Sequence, residues 1–250
     1  MRQAILNKTA NPVLIFWIIA GLVGFFVLPW YGIEDFFRFE WLADGYPFDS
    51  DYAPGIFLIG QGEKLWLAPL ILPLLAPLAI LKTRKTDPIY AKVLIVAGAF
   101  GLGWLILQGF AIGIRGWNFD WAAALFGDLD DRQFGMGYGA LICASAFLFV
   151  FTQGLAARGA INGDVFVVSS IGGVVVIVTA FVFFPIAKML TAAFITQDGG
   201  YSAVVFFSKF FDDRLWGLGC LTGGRCGVAW NSLFLAVCVG LITTVLGLIF

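Results

Sequence analysis

The stretch VFVVSSIGGVVVIVTAFVFFPIA, residues 165–187, contains no charged residue and is dominated by Val, Ile and Phe. An α-helix needs about 20 apolar residues to cross the roughly 30 Å hydrocarbon core of a bilayer. In lipid a helix is favoured over an open strand, because every backbone polar group must find its partner within the segment. The stretch therefore predicts a membrane-spanning helix.

Other parts of the chain have the same character. Of the 250 residues, 60% are hydrophobic and 12% are charged, whereas a soluble domain carries about 25% charged residues. The formal net charge of -1 offers no basis for a nucleic-acid partner. We predict an all-α integral membrane protein with about six transmembrane helices, in the windows 9–33, 65–81, 93–114, 133–157, 165–187 and 226–250.

The second window is the shortest and contains three prolines at a spacing of four, Pro69, Pro73 and Pro77. This spacing places them on one helical face, and each proline removes a backbone donor and bends the helix. We favour a bent packing helix; a functional hinge is the alternative.

The distribution of Lys and Arg predicts the orientation in the membrane. With a cytoplasmic N-terminus, the inner segments 1–12, 82–92 and 158–164 hold seven cations in 30 residues, and the outer segments hold eight in 90. The inner cations are Arg2, Lys8, Lys82, Arg84, Lys85, Lys92 and Arg158. Both chain ends are therefore expected in the cytoplasm.

The outer segments, residues 31–64, 115–132 and 188–225, mix aromatic and acidic side chains. Such mixtures are typical of segments that lie in the headgroup region. In the third segment, an apolar stripe opposite two charged residues predicts a short interfacial helix with Ser202 as N-cap. The stripe consists of Val204, Phe207, Phe211 and Leu215, opposite Lys209 and Asp213.

Cys220 and Cys226 lie in the same outer segment, with Gly223 and Gly224 between them. The predicted topology places them in an oxidising compartment, which favours a small disulfide-closed loop. A reduced pair is the alternative, and two thiols without histidine give too few ligands for a zinc site. Cys143 and Cys238 lie within membrane windows and are interpreted as small packing residues.

Two glycine pairs fit the small-xxx-small pattern of close helix contacts, Gly109 with Gly113 and Gly135 with Gly139. The chain has no histidine and no GxxxxGK[ST] phosphate loop. The membrane windows contain almost no charge, and their longest polar side chains are Gln108, Gln133 and Gln153. We therefore predict no enzyme, no catalytic residue, no cofactor and no proton relay in this chain.

The last third of the chain resembles the start of the permease core of binding-protein-dependent ABC importers. The resemblance rests on VVVIVTAFVFFPIAKMLTAAF, residues 174–194, and AWNSLFLAVCVGLITTVLGLIF, residues 229–250. In that family an Asn-Ser/Thr-Leu triplet begins the second core helix and a glycine lies near its end. Asn231, Ser232, Leu233 and Gly247 match these positions. The string GLGCLTGGRCGVAW, residues 217–230, is similar to iron(III)-type permeases.

This resemblance implies a bacterial inner-membrane permease subunit that works with an ATP-binding cassette ATPase and a periplasmic substrate-binding protein. Residues 165–250 would begin the permease core, and residues 1–164 would form an accessory four-helix region embedded in membrane lipid. The family's cytoplasmic Glu-Ala-Ala coupling loop is not found, so the native chain is expected to continue past Phe250.

Two other functions remain open at this point. The chain could be a helical membrane scaffold or assembly factor whose aromatic outer loops bind a partner protein. It could instead be a membrane-embedded enzyme acting on lipids, with Glu34 and Asp35 or the acidic residues of 128–131 holding a metal ion. Paired carboxylates can bind Mg²⁺, although loop carboxylates are usually only solvated.

Overall fold

A computed structural model describes residues 11–32, 39–42, 45–113, 116–127, 129, 135–196, 201–222, 224 and 226–249. Arg2, Lys8, Gln133 and the acidic residues Glu34, Asp35, Asp128, Asp130 and Asp131 lie outside these residues. The described part is mostly helical. Its α-helices are α1 Pro12–Phe26, α2 Gly55–Gly60, α3 Ile71–Ala79, α4 Pro88–Ala111, α5 Asp120–Phe126, α6 Tyr138–Ala157, α7 Val165–Val178, α8 Phe184–Ala193, α9 Ala203–Phe210, α10 Asp213–Trp216 and α11 Val228–Ile249.

Within the described residues, four helices are long and apolar enough to cross a membrane. They are α4, α6, the continuous run Val165–Ala193 and α11. The other two predicted windows form shorter apolar helices, Pro12–Phe26 and Leu65–Ala79. A helix of 15 residues is about 22 Å long, which is less than the roughly 30 Å of a typical hydrocarbon core.

Proline shapes two of these apolar segments. Residues Leu65–Leu70 form a 3₁₀ helix that contains Pro69 and continues into α3, which contains Pro77. Pro73 and Pro77 are buried, so this proline face packs inward. In the run Val165–Ala193, a π-helical turn at Thr179–Phe183 comes just before Pro185. Proline cannot donate the usual backbone hydrogen bond, which accounts for the altered turn.

The chain divides into two compact units, Met1–Thr179 and Ala180–Phe250. The sequence places its boundary between residues 164 and 165, at the start of α7. In the structure α7 packs on α6, and Thr152 Oγ1 lies 3.0 Å from Ser169 Oγ. These contacts keep α7 with the first unit.

Helix α6 is the centre of the first unit and packs most extensively on α4 and α1. Small residues allow these close approaches. A Cβ added to Gly24 of α1 would lie 2.9 Å from the carbonyl oxygen of Gly139 in α6, and one added to Gly154 would lie 2.8 Å from the backbone nitrogen of Ile95 in α4. Cys143, the buried free cysteine, contacts Gly21 through its thiol.

Tryptophan side chains also stabilise the packing of the first unit. Trp66 is fully buried, and its carbonyl oxygen accepts hydrogen bonds from Trp104 Nε1 at 2.8 Å and from Gln108 Nε2 at 3.3 Å. Trp117 ends the second strand of a two-stranded hairpin, β1 Ile112–Gly113 and β2 Gly116–Trp117, and packs edge-on against Trp66, with ring centroids 5.0 Å apart. Gln108, predicted as an interior polar group, thus stabilises the packing of α4.

A hydrogen bond between the partly exposed Asn11 and the buried Gln153 joins α1 to α6. Asn11 is the N-cap of α1, where its side chain accepts from the backbone nitrogen of Val13 at 3.3 Å. Its Nδ2 donates to Oε1 of the buried Gln153 at 2.8 Å. Among the described residues, Nε2 of Gln153 has no hydrogen-bond partner. Asn11 therefore supplies a helix cap and a hydrogen bond to a costly buried amide.

Replacing Asn11 by Ala is expected to lower the free energy of unfolding in detergent by about 2–3 kcal/mol, from the lost cap and the stranded Gln153 amide. Asp87, which caps α4 through the backbone nitrogen of Ile89, provides the control. Asp87→Ala should cost only about 1 kcal/mol. Equal losses for the two variants would contradict the role of the Asn11–Gln153 bond.

Candidate functional site: the connector between the last two long helices

The connector is defined here as residues 194–227, the segment between α8 and α11. It contains α9, α10 and a 3₁₀ turn at Gly219–Thr222. Helix α9 begins after Ser202, the predicted N-cap, although the Ser202 side chain makes no capping hydrogen bond. The predicted stripe from Val204 to Leu215 is divided between two short helices, because α9 ends at Phe210 and α10 begins at Asp213. The placement of these helices at a membrane interface stays a prediction.

Aromatic stacking closes the first half of the connector. The rings of Phe194 and Phe206 are stacked with centroids 4.4 Å apart. Phe210 lies 5.8 Å from Phe206 and 5.7 Å from Trp216, again between ring centroids. Offset and edge-on aromatic pairs stabilise a structure beyond the area that they bury, so these rings hold α9 against the end of α8.

Hydrogen bonds fix the same contact. Lys209 Nζ donates to the carbonyl oxygen of Ile195 at 3.1 Å, and the backbone nitrogen of Ser202 donates to the carbonyl oxygen of Phe194 at 2.9 Å. Asp212 caps α10 by accepting from the backbone nitrogen of Arg214 at 2.7 Å. Lys209, which the sequence marks only as part of a polar face, thus satisfies a backbone carbonyl, and Asp212 satisfies a backbone N–H at the start of α10.

The structure joins Cys220 and Cys226 in a disulfide, with their Cα atoms 4.6 Å apart. Backbone hydrogen bonds brace the loop, from Gly224 N to Gly219 O and from Gly227 N to Gly217 O, both at 2.8 Å. Cys238, the other cysteine of this unit, is a free thiol in α11. The connector therefore ends in a closed, hydrogen-bonded loop directly before α11.

Two tryptophans link this loop to its neighbours. Trp216 Nε1 donates to the carbonyl oxygen of Phe210 at 2.8 Å, and Trp230 Nε1 donates to the carbonyl oxygen of Trp216 at 2.9 Å. The sequence analysis did not assign a role to either residue. The only available signal was the density of aromatic residues, because the hydrogen bonds depend on the backbone path of the loop.

The residues of the permease-like motif lie on α11. Asn231 is in the first turn, and its Nδ2 lies 3.4 Å from the carbonyl oxygen of Cys226. Asn231 does not cap the helix, because the carbonyl of Gly227 accepts the first backbone hydrogen bonds, from Trp230 and Asn231. The motif asparagine instead contacts the end of the disulfide loop. Ser232 and Leu233 are exposed.

One face of α11 consists of small side chains. At about 100° per residue, the positions that share this face are Ser232, Ala236, Gly240, Thr243 and Gly247. A Cβ added to Gly240 or to Gly247 would meet nothing within 4 Å. No residue of α11 is buried, so both its small face and its larger apolar side chains are open.

Among the residues that the structure describes, no group of three or more Cys, Asp or Glu side chains is placed to hold a metal ion. The acidic residues proposed for a lipid-acting enzyme lie outside those residues. The connector is a hydrogen-bonded, disulfide-closed segment, and it is followed by the open apolar helix α11. Comparison with protein-family models, curated proteins and solved structures gave no match.

Proposed function

We propose that this protein is a membrane subunit of an ATP-driven ABC importer, in which the helical run Val165–Ala193, the connector and α11 begin the permease core. The observation that carries the proposal is the state of α11. It is a 22-residue apolar helix with no buried residue. It also carries the Asn231, Ser232, Leu233 and Gly247 pattern that resembles the second core helix of such permeases.

The small face of α11 gives this resemblance a physical meaning. Membrane helices associate by close van der Waals packing, which small residues permit. The space around Gly240 and Gly247 is open. Further permease helices would pack against this face, and lipid would cover the remaining faces.

We also propose the finer topology. Six spans would be completed by the short helices Pro12–Phe26 and Leu65–Ala79, which a locally thinned bilayer can accommodate. Both chain ends would face the cytoplasm of a bacterial inner membrane. The connector would then lie outside, where an oxidising compartment maintains the disulfide and a periplasmic substrate-binding protein can dock.

Iron(III) is the proposed substrate, on the similarity of residues 217–230 to iron-type permeases. This chain would contribute part of the pathway, and a separate ATPase subunit would supply the energy. Residues 1–164 would surround the core as an accessory region. Deleting the gene should abolish uptake of radioactive iron(III) at limiting iron; normal uptake would contradict the substrate.

The assembly test uses protein tagged at the N-terminus at its native locus and purified in mild detergent. An ATPase subunit should co-purify. Gly240→Leu enlarges the small face at a position where an added Cβ would meet nothing within 4 Å, so it should reduce the recovered ATPase at least tenfold while the chain stays folded. Val245→Phe enlarges an exposed residue on a different side of α11 and should leave ATPase recovery unchanged.

The outcomes separate the importer from the scaffold. If no ATPase accompanies the native chain and a different protein does, the importer proposal is wrong and the scaffold takes its place. If Gly240→Leu and Val245→Phe have equal effects, the small face of α11 is not the packing surface.

A further inference from the structure

A groove runs between α3 and α4 in the first unit. Its volume is about 320 Å³. The floor is formed by buried Pro73 and Ala97, and the rim by exposed Leu72, Val96 and Phe100. The remaining lining residues are Ala76, Val93 and Lys92. Apart from Lys92, every lining side chain is apolar, and Lys92 lies nearest the loop that joins the two helices.

The shape of the groove indicates the kind of molecule that fits it. From Lys92 to Phe100, α4 rises by about 12 Å. Dividing the volume of about 320 Å³ by this length gives a cross-sectional area of about 27 Å². This area is enough for one hydrocarbon chain. A helix with side chains is about 10–12 Å across and is too wide to enter.

The charge at the loop end indicates the head of that molecule. Residues 82–92 contain four cations, Lys82, Arg84, Lys85 and Lys92, and one acid, Asp87. The Asp87 carboxylate caps α4 by accepting from the backbone nitrogen of Ile89 at 2.8 Å. A basic cluster beside an apolar cleft between membrane helices is the arrangement that binds anionic lipid headgroups.

We propose that the α3–α4 groove is a binding site for an anionic phospholipid. One acyl chain lies along Pro73, Ala97 and Val96, and the headgroup phosphate lies against Lys92 and the cations of residues 82–85. The bound lipid fills a gap that the two helices leave between them. This inference goes beyond the transport proposal and does not depend on it, since it requires only that the α3–α4 hairpin lies in a membrane.

The test is native mass spectrometry of the purified, delipidated protein titrated with phosphatidylglycerol or phosphatidylcholine. Phosphatidylglycerol should bind at least tenfold more tightly. Lys92→Gln should weaken it about fivefold, as expected for one cation near an anionic lipid. Val96→Trp fills the groove and should weaken the binding of both lipids at least tenfold. Val174→Trp, at a similarly exposed valine of α7, should bind both lipids like the wild type.

Three results would overturn the proposal: equal affinity for the two lipids, unchanged binding in Val96→Trp, or equal losses in Val96→Trp and Val174→Trp. A polypeptide that stays bound at the groove and excludes lipid would also overturn it. The melting temperature of each variant shows whether it is folded. Lys92 is exposed, so Lys92→Gln keeps the test decisive if Val96→Trp does not fold.

Discussion

Replacing Gly98 by Leu is expected to lower the free energy of unfolding by about 3 kcal/mol or more, the upper range for overpacking. Gly98 lies where α4 meets α6, and a Cβ there would be 2.6 Å from the carbonyl oxygen of Phe147 and from the backbone nitrogen of Phe151. Backbone atoms cannot move aside without separating the helices. The measurement is unfolding of the purified protein in detergent, followed by tryptophan fluorescence.

Gly103 is the matched control, because it lies in the same helix and a Cβ there would meet nothing within 4 Å. Gly103→Leu should change the free energy of unfolding by no more than about 0.5 kcal/mol, or raise it slightly through better helix propensity. If the two variants are equally stable, α4 and α6 do not approach as closely as the structure shows.

Removing the disulfide with Cys220→Ser and Cys226→Ser is expected to lower the free energy of unfolding of the connector by about 2 kcal/mol, the chain-entropy value for so short a loop. The braced backbone around Gly217 and Gly219 should then open more often. Trypsin should cleave at the exposed Lys209 and Arg214 at least tenfold faster in the double variant. Reductant should produce the same acceleration in the wild type, measured by the rate of fragment appearance.

Cys238→Ser provides the control for the loss of a thiol. Cys238 is a free cysteine in α11, so its replacement should leave the cleavage rate and its response to reductant unchanged. Cleavage that is equally fast with and without reductant in the wild type would show that the disulfide does not stabilise the connector.

The glycine patterns illustrate where sequence reasoning is insufficient. Of the two predicted pairs, Gly139 does lie at a close approach, where a Cβ would be 2.7 Å from the carbonyl oxygen of Leu28. A Cβ at Gly135 would meet nothing within 4 Å, and one at Gly113 would meet the side chain of Asn118, which follows the hairpin, and not a neighbouring helix. The close approach of α4 and α6 at Gly98 was not singled out, because a sequence shows that a residue is small and not what faces it.

The candidate site also combines features that the sequence predicts with features that it does not. The spacing of Cys220 and Cys226 was sufficient to predict a closed loop, and the apolar stripe predicted local helix, because both depend on neighbours in sequence. The break between α9 and α10 was not predicted. The role of Asn231 was not predictable. The sequence shows only that it matches a family motif, whereas the backbone path through Gly227 places its amide beside the Cys226 carbonyl.

The sequence by itself determined that the protein is helical and apolar, since hydrogen-bond satisfaction in lipid and the length of charge-free stretches are local properties. Only the tertiary structure decided which helices are covered. Both α6 and α11 are long apolar helices, yet half of the α6 window is buried and none of α11 is. Burial depends on partners distant in sequence, and α6 has α1 and α4 against it, whereas the most extensive helix contact of α11 is with the short α10 that precedes it.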